Sequence, residues 1–277
     1  MKKAKARIIP GFGLSMGVTL SILSIIVLIP LASLVIFTAK ISPKDIWNVI
    51  TRDRVVASFK VSFITAFIAS LINAVMGVVL AWVLVRYDFP FKRLMDGLIE
   101  LPFALPTAVA GISLTSLTAD TGILGKFFGN FGIRIAYTRL GIIFALVFVG
   151  IPFVVRSVQP VLEKFDPAYE EAAGMLGASR AGIFWRVIFP ELRPAIFTGF
   201  GLAFGRCLGE YGSVVFIAGN HPFETEITPL IIMSELQEFD YSSATAIALV
   251  MLAAAFLVLF LMNLVQIRSS KILRGGG

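Results

Sequence analysis

Arg206, Glu210 and Ser213 fall at i, i+4 and i+7 inside the otherwise apolar stretch 195–219. On a helix that spacing makes one stripe. Its chemistry is handling of an anion rather than bond-making. A guanidinium attracts the ion, a carboxylate keeps the site from becoming a tight trap, and a hydroxyl can donate a hydrogen bond. The same residues also read as structure, with Glu210 neutralising Arg206 or an arginine of a sister subunit. A charge in hydrocarbon costs roughly 2.5–3.5 kcal/mol, so either reading turns the pair toward protein or water. Gly201, Gly205 and Gly209 form a second stripe on the same stretch. Small residues so spaced let backbones approach closely in a membrane, which suits subunit packing, or alternatively a hinge. Thr107 and Ser113, with Thr115 and Ser116, offer hydroxyls either to a passing anion or to their own helix.

Other chemistries are excluded by what the chain lacks. One cysteine, Cys207, allows no internal disulfide, and one histidine, His221, allows no His-pair metal site. No phosphate-loop motif occurs. Gly125-Lys126 is the nearest match, but Asp120 stands where the first glycine belongs and Phe127 where the hydroxyl belongs. No catalytic residue, metal ligand or cofactor of its own is therefore expected, and ATP is not bound through that motif.

The elements that must position these residues are set by composition. Of 277 residues, 57% are hydrophobic and 15% charged, with mean hydropathy +0.90. An ordinary soluble domain has about 45–50% apolar and about 25% charged residues. Near-uncharged segments at 14–38, 61–85, 98–118, 140–159, 195–219 and 243–266 each reach the length of a bilayer core. The chain is thus expected to be an all-α, polytopic membrane protein with about six spans. The bundle itself, 14–266, is the domain, between an N-terminal segment 1–13 and a tail 267–277. The apolar run after the basic N-terminus continues too far for a signal peptide and reads as a retained first span. Pro102 and Pro106 should kink or loosen the third span, and Glu100 at its start reads as an interfacial charge.

Orientation follows from the basic residues. With six spans, fifteen Lys and Arg lie on the side of the termini and eight on the other. The bias puts both termini in the cytoplasm, and the net charge of +7 reflects topology rather than nucleic-acid binding. The basic first outer loop dissents: it carries Lys40, Lys44, Arg52 and Arg54, with Lys60 just beyond. The loop 220–242 has five acids and no Lys or Arg.

The cytoplasmic loop 160–194 is patterned. Asp166 can cap a helix that has Pro167 at its first position and AYEEAAGML as its body. Gly177 suits the left-handed residue that closes it. Ser179 can cap a second helix through Ile183, Trp185 and Val187, which Pro190 is expected to stop.

Glu171-Ala172-Ala173, Gly177, Val187-x-Phe189 and Pro190 resemble the EAA loop of bacterial ABC importer permeases of the MetI-like type. The family pattern has I-x-L-P where this chain has Val187, Phe189 and Pro190. The segments 101–111 (LPFALPTAVAG) and 205–212 (GRCLGEYG) are similar to permeases for tetrahedral oxyanions. Pro10-Gly11-Phe12, 151–156 (IPFVVR) and 237–241 (QEFDY) extend the likeness to the T-subunit type of sulfate/thiosulfate permease.

The resemblance implies a multi-pass permease of the bacterial inner membrane. Its EAA loop, through Glu171, Ala172, Ala173, Gly177 and Pro190, would couple to a separate ATPase. Implied partners are a second, homologous permease subunit, two ATPase subunits holding ATP and magnesium, a periplasmic sulfate-binding protein, and membrane lipid. On the reading of the residues themselves, rather than of the resemblance, Arg206, Glu210, Ser213, Thr107 and Ser113 are the candidates to line the path. Two alternatives stay open: a molybdate or tungstate permease, and a stand-alone secondary anion transporter or channel. The second has no use for an ATPase dock, and no inverted repeat is visible.

Overall fold

A computed structural model describes residues 12–274. The basic residues Lys2, Lys3, Lys5 and Arg7, the Pro10-Gly11 pair, the side chains of Arg268, Lys271 and Arg274, and residues 275–277 lie outside the described residues. Among the described residues every regular element is helical and none is a strand. Among the described residues five continuous helices are long and apolar enough to cross a membrane. They are the first span Phe12–Ala39, the second Asp53–Arg86, the fourth Arg139–Lys164, the fifth Arg180–Leu208 and the sixth Tyr241–Arg274. A bent pair, Thr107–Thr118 and Ile123–Gly129, meeting at 43°, occupies the place of the third.

Helix follows from composition in these stretches, but side-chain size decides the packing. The second span buries Ser58, Ser62, Thr65, Ala66, Ala69, Ser70, Ala74, Gly77 and Ala81, and turns Ile64, Phe67, Leu71, Val75 and Val79 outward. Lipid is as apolar as leucine, so close approach of small residues, rather than oil-drop burial, holds such helices together. Glycines of the second and fifth spans make close approaches to the fourth. A Cβ on Gly77 would lie 2.6 Å from Val154 Cγ1, and one on Gly199 of the fifth span 2.7 Å from Val154 Cα. The second, fourth and fifth spans thus form the centre. The first span stands apart. Thr38 is its one buried residue, and the Thr38 hydroxyl reaches Thr245 O of the sixth span at 3.4 Å.

Three expectations need correction. The stretch 98–118 is not one span but three helices, Lys92–Ile99, Leu101–Ala104 and Thr107–Thr118. Pro106 is the reason: it disfavours helix at the preceding residue, and Leu105 is extended at φ −86°, ψ 136°. The fifth span does not run through 219; it ends at Leu208 and resumes only as Val214–Ile217. Nor does Pro190 stop the helix that begins at Arg180. The residues before it, Phe184–Ile188, widen into a π-turn, and Phe189 N–H donates to Phe184 O five residues back. A wider turn makes room for the proline ring against the preceding carbonyls. The first span repeats the device, with a π-turn at Ser24–Leu28 just before Pro30.

Candidate functional site

The loop between the fourth and fifth spans folds as its sequence implies up to Pro190. Asp166 Oδ1 accepts the Ala168 N–H at 2.9 Å, opening the helix Ala168–Met175. Gly177 closes it at φ 84°, with Gly177 N–H donating to Gly174 O at 2.9 Å and Ala178 N–H to Ala173 O at 3.1 Å. That pair of bonds is the Schellman closure, and its left-handed residue is why glycine is needed. Ser179 Oγ accepts the Gly182 N–H at 3.2 Å and caps the fifth span. Because that span is unbroken from Arg180 to Leu208, the loop feeds directly into a membrane helix.

On the short helix Glu171 and Ala172 are exposed and Ala173 is half-buried. The Glu171 side chain has no hydrogen bond or ion pair among the described residues, its backbone N–H donating to Pro167 O at 3.1 Å. Glu170 beside it forms an ion pair with Arg86, the last residue of the second span. Met175 and Leu176, 90% and 89% exposed, form an apolar tip at the bend, with Trp185 also exposed. Sequence reasoning missed this tip, although an apolar pair just before a helix-closing glycine is a readable signal. Free carboxylate, small-residue face and apolar tip make a projecting surface suited to another protein.

The second constellation lies where the fifth span breaks. The helix ends before Glu210, so the expected continuous stripe of Arg206, Glu210 and Ser213 does not form. The residues meet nonetheless, because the chain turns back on itself. Arg206 Nη1 lies 2.5 Å from Glu210 Oε2, while Glu210 Oε1 accepts from Ser213 N–H and Oγ–H, both at 2.8 Å. Glu210 is only 2% exposed and Arg206 about a third. A buried carboxylate needs such pairing. One carboxylate oxygen occupies only part of the guanidinium's set of donors. Arg206 also lines an open groove of about 540 Å³ together with Gly201, Gly205 and Asn263.

The break packs on the third span through glycines. A Cβ on Gly212 would lie 2.1 Å from Thr107 Oγ1, and one on Gly111 2.6 Å from Ser213 O. Thr107 therefore joins the cluster. Ser113 does not: it is exposed, two residues beyond Gly111 and so on another side of the helix. Thr115 and Ser116 donate to Gly111 O and Ile112 O of their own helix, at 2.7 and 2.9 Å. Gly201 faces Met262 of the sixth span at an ordinary 3.5 Å, Gly205 faces the flexible end of Leu259 more tightly at 3.3 Å, and Gly209 has open space. The stripe brings no backbone close within this chain.

Charges fasten both ends of the bundle. Arg156 of the fourth span binds Asp96 and Glu100, each at 2.8 Å. At the opposite end Arg54 grips Glu226 with Nε at 2.8 Å and Nη2 at 2.5 Å, and Glu226 is 1% exposed. Arg52 reaches Glu235 at 3.3 Å, and Arg139 Nε donates to Glu224 O at 2.7 Å. Burial pushes the Glu235 carboxyl above its ordinary value. Asp240 accepts from Ser243 N–H at 2.9 Å and Ser243 Oγ–H at 2.6 Å, which holds its carboxyl below the usual value and caps the sixth span. His221 sits in a turn, its N–H bonded to Thr225 Oγ1 at 2.9 Å.

Comparison with known proteins bears on both constellations. Residues 73–271 match the family of binding-protein-dependent transport system inner membrane components. The chain is 51% identical over 265 residues to the sulfate transport system permease protein CysT of Salmonella typhimurium, covering 96% of both chains. In structure it is similar to a bacterial ABC transporter involved in the import of the acidic polysaccharide alginate. The TM-score is 0.76 at 16% identity, covering 93% of this chain and 96% of that one. A bacterial alginate ABC transporter in complex with an alginate pentasaccharide-bound periplasmic protein gives 0.74 at 17% identity, over 91% and 93%. These two likenesses establish the fold.

Proposed function

The chain belongs to the family of binding-protein-dependent transport system inner membrane components, and from that membership we propose that it is the permease subunit of an ATP-driven importer of sulfate and thiosulfate. The observation that carries the substrate is the 51% identity to a sulfate permease along 96% of both chains. Oxyanion handling fits the cluster of Arg206, Glu210, Ser213 and Thr107. Its arginine is charge-paired with Glu210 through one oxygen and keeps other donors, so an anion can be bound without being trapped.

The chain itself is non-catalytic. Hydrolysis, with its ATP and magnesium, takes place on two ATPase subunits that dock on Glu171, Ala172, Ala173 and Gly177, with Met175 and Leu176 as the apolar tip. Closure of the ATPase dimer fits one arrangement of the spans better than another, and that differential affinity drives alternating access. The fifth span transmits the pull, being one helix from Arg180 to Leu208. A second, homologous permease completes a heterodimer, and the stripe of Gly201, Gly205 and Gly209 packs against it. A periplasmic sulfate-binding protein docks at the far end; the alginate transporter of similar fold forms a complex with a periplasmic protein.

Both termini are cytoplasmic, in the inner membrane. Of the basic first outer loop, Arg52 and Arg54 pair with Glu235 and Glu226 of the acidic loop, so these two loops lie together on the side opposite the termini in this reading. The bundle 14–266 is the permease domain, and 1–13 and 267–277 are its cytoplasmic ends. Substrate choice is tested by competition in vesicles carrying the complete complex. Unlabelled thiosulfate should suppress uptake of labelled sulfate while equal molybdate leaves it unchanged. Stronger suppression by molybdate would overturn the assignment.

A further inference from the structure

The coupling helix Ala168–Met175 has a hold on each of the three central spans, but the holds differ in kind. It follows the fourth span directly, where Tyr169 meets Phe165 at 6.0 Å between ring centroids, and it leads directly into the fifth. The second span is joined to it only through space, across 84 residues of sequence, by the ion pair of Glu170 with Arg86. That guanidinium also lies 5.2 Å from the centre of the Trp82 ring. Trp82 in turn meets Phe184 edge-on, at 5.5 Å and 78°. Phe184 opens the π-turn of the fifth span. Glutamate, arginine, tryptophan and phenylalanine thus form a contiguous chain linking the coupling helix, the second span and the fifth.

We propose that Arg86 is a positioning residue that makes the coupling helix and the second span move as one body during transport. The proposal rests on the reading of this loop as the ATPase dock. The physical case is specific. A charge-assisted bond is short and directional, and the ring holds the planar guanidinium from its face. Both partners are about three-quarters sheltered, which limits the screening that makes surface pairs weak. A motion applied at Glu171 therefore reaches the second span without passing through a flexible loop. Neighbouring glutamates divide the work: Glu171 is open to a partner, and Glu170 anchors the helix to its own chain.

The test uses the assembled complex in lipid nanodiscs, with spin labels on cysteines introduced at Tyr87 and at Ala168, the first residue of the coupling helix and outside the docking surface. Both positions are exposed, and the native Cys207 is buried and out of reach. The label-to-label distance in the otherwise unchanged protein should be the same with and without trapped ATP. Arg86→Gln should broaden it at least about twofold, cutting sulfate uptake about tenfold while ATP hydrolysis stays within about twofold. The exchange Arg86→Glu with Glu170→Arg should restore both width and uptake. If Arg86→Gln fails to reach the membrane, Glu170→Gln removes the same bond and is read in the same way. A distance that shifts with ATP in the unmodified pair, a single variant as narrow as the parent, or an exchange as broad as the single would each overturn the proposal. If the parent complex takes up no sulfate, the functional reading fails, while the widths measured without nucleotide still decide the role of Arg86.

Discussion

Glu170 and Glu171 are consecutive on one helix and do different things: Glu170 is bound to Arg86 of the second span, whereas Glu171 is exposed and unpaired among the described residues. Helical geometry turns neighbours by about 100°, enough to point one side chain inward and the next outward. From this follows the first prediction. Glu171→Lys reverses the free charge without touching the internal bond, so ATP-coupled uptake should fall at least about tenfold. Membrane abundance should be unchanged on immunoblot. Unchanged uptake would remove Glu171 from the dock.

Gly177 holds a left-handed backbone at φ 84° with nothing within 4 Å of its Cβ position, so a substitution there acts through backbone strain alone. Gly177→Asp should cost roughly 1 kcal/mol in the local turn. It should uncouple hydrolysis from uptake while leaving the thermal midpoint of the bundle within a few degrees. The two assays are run on the same proteoliposomes.

Arg206 and Glu210 form a pair in which the carboxylate is the buried member. Arg206→Gln alone leaves that charge uncompensated, and breaking such a pair costs about 3–5 kcal/mol. Low membrane abundance is expected for it. Arg206→Gln combined with Glu210→Gln removes both charges and should restore abundance. Sulfate uptake should nevertheless stay down by about tenfold, because the guanidinium is gone from the groove. Full uptake by the double variant would assign the pair a purely structural role.

The glycines separate into two kinds. Gly77, Gly111 and Gly199 have a backbone or side chain within 3 Å of where a Cβ would stand. Gly201 and Gly205 do not; their nearest neighbours lie at 3.5 and 3.3 Å. Gly199→Leu should therefore destabilise the chain by about 1–3 kcal/mol or more, read as a lower thermal midpoint. Gly201→Leu with Gly205→Leu should leave the isolated chain folded and instead abolish co-purification of the second permease. Intact co-purification would remove this stripe from the subunit interface.

Asp240 supplies a pH test. Its carboxyl is held below the ordinary value by Ser243, so its capping contribution is complete at and above the usual carboxylate range and is lost as pH falls through the lowered value. Asp240→Ala should cost about 1 kcal/mol at neutral pH. The gap in thermal midpoint between parent and variant should narrow as the medium is made more acidic than that range. A gap that is constant with pH would contradict the capping role.

What could be read from the sequence was what depends on near neighbours. Asp166, Gly177 and Ser179 announce the helix, its bend and the next cap, because each acts within four residues. Pro106 announces a kink for the same reason, but not the full break into separate helices at Leu105. Pro190 misled, since a single residue cannot reveal that the turn before it will widen and let the helix continue. The break after Leu208 was hidden because the stretch 195–219 is apolar enough to read as one span despite Arg206 and Glu210 within it. It is stabilised from another span, by Gly111 and Thr107, as well as locally by the bonds Glu210 makes to Ser213. Arg86 with Glu170, and Arg54 with Glu226, join residues 84 and 172 apart, and no spacing rule reaches that far.

The most direct measurement is uptake of labelled sulfate into proteoliposomes containing this chain, its partner permease and the binding protein, with and without the ATPase subunits. Accumulation should occur only when the ATPase subunits and ATP are present, and should vanish when Glu171→Lys replaces the parent chain. Uptake at the same rate without any ATPase subunit would contradict the account and mark the chain as an autonomous carrier.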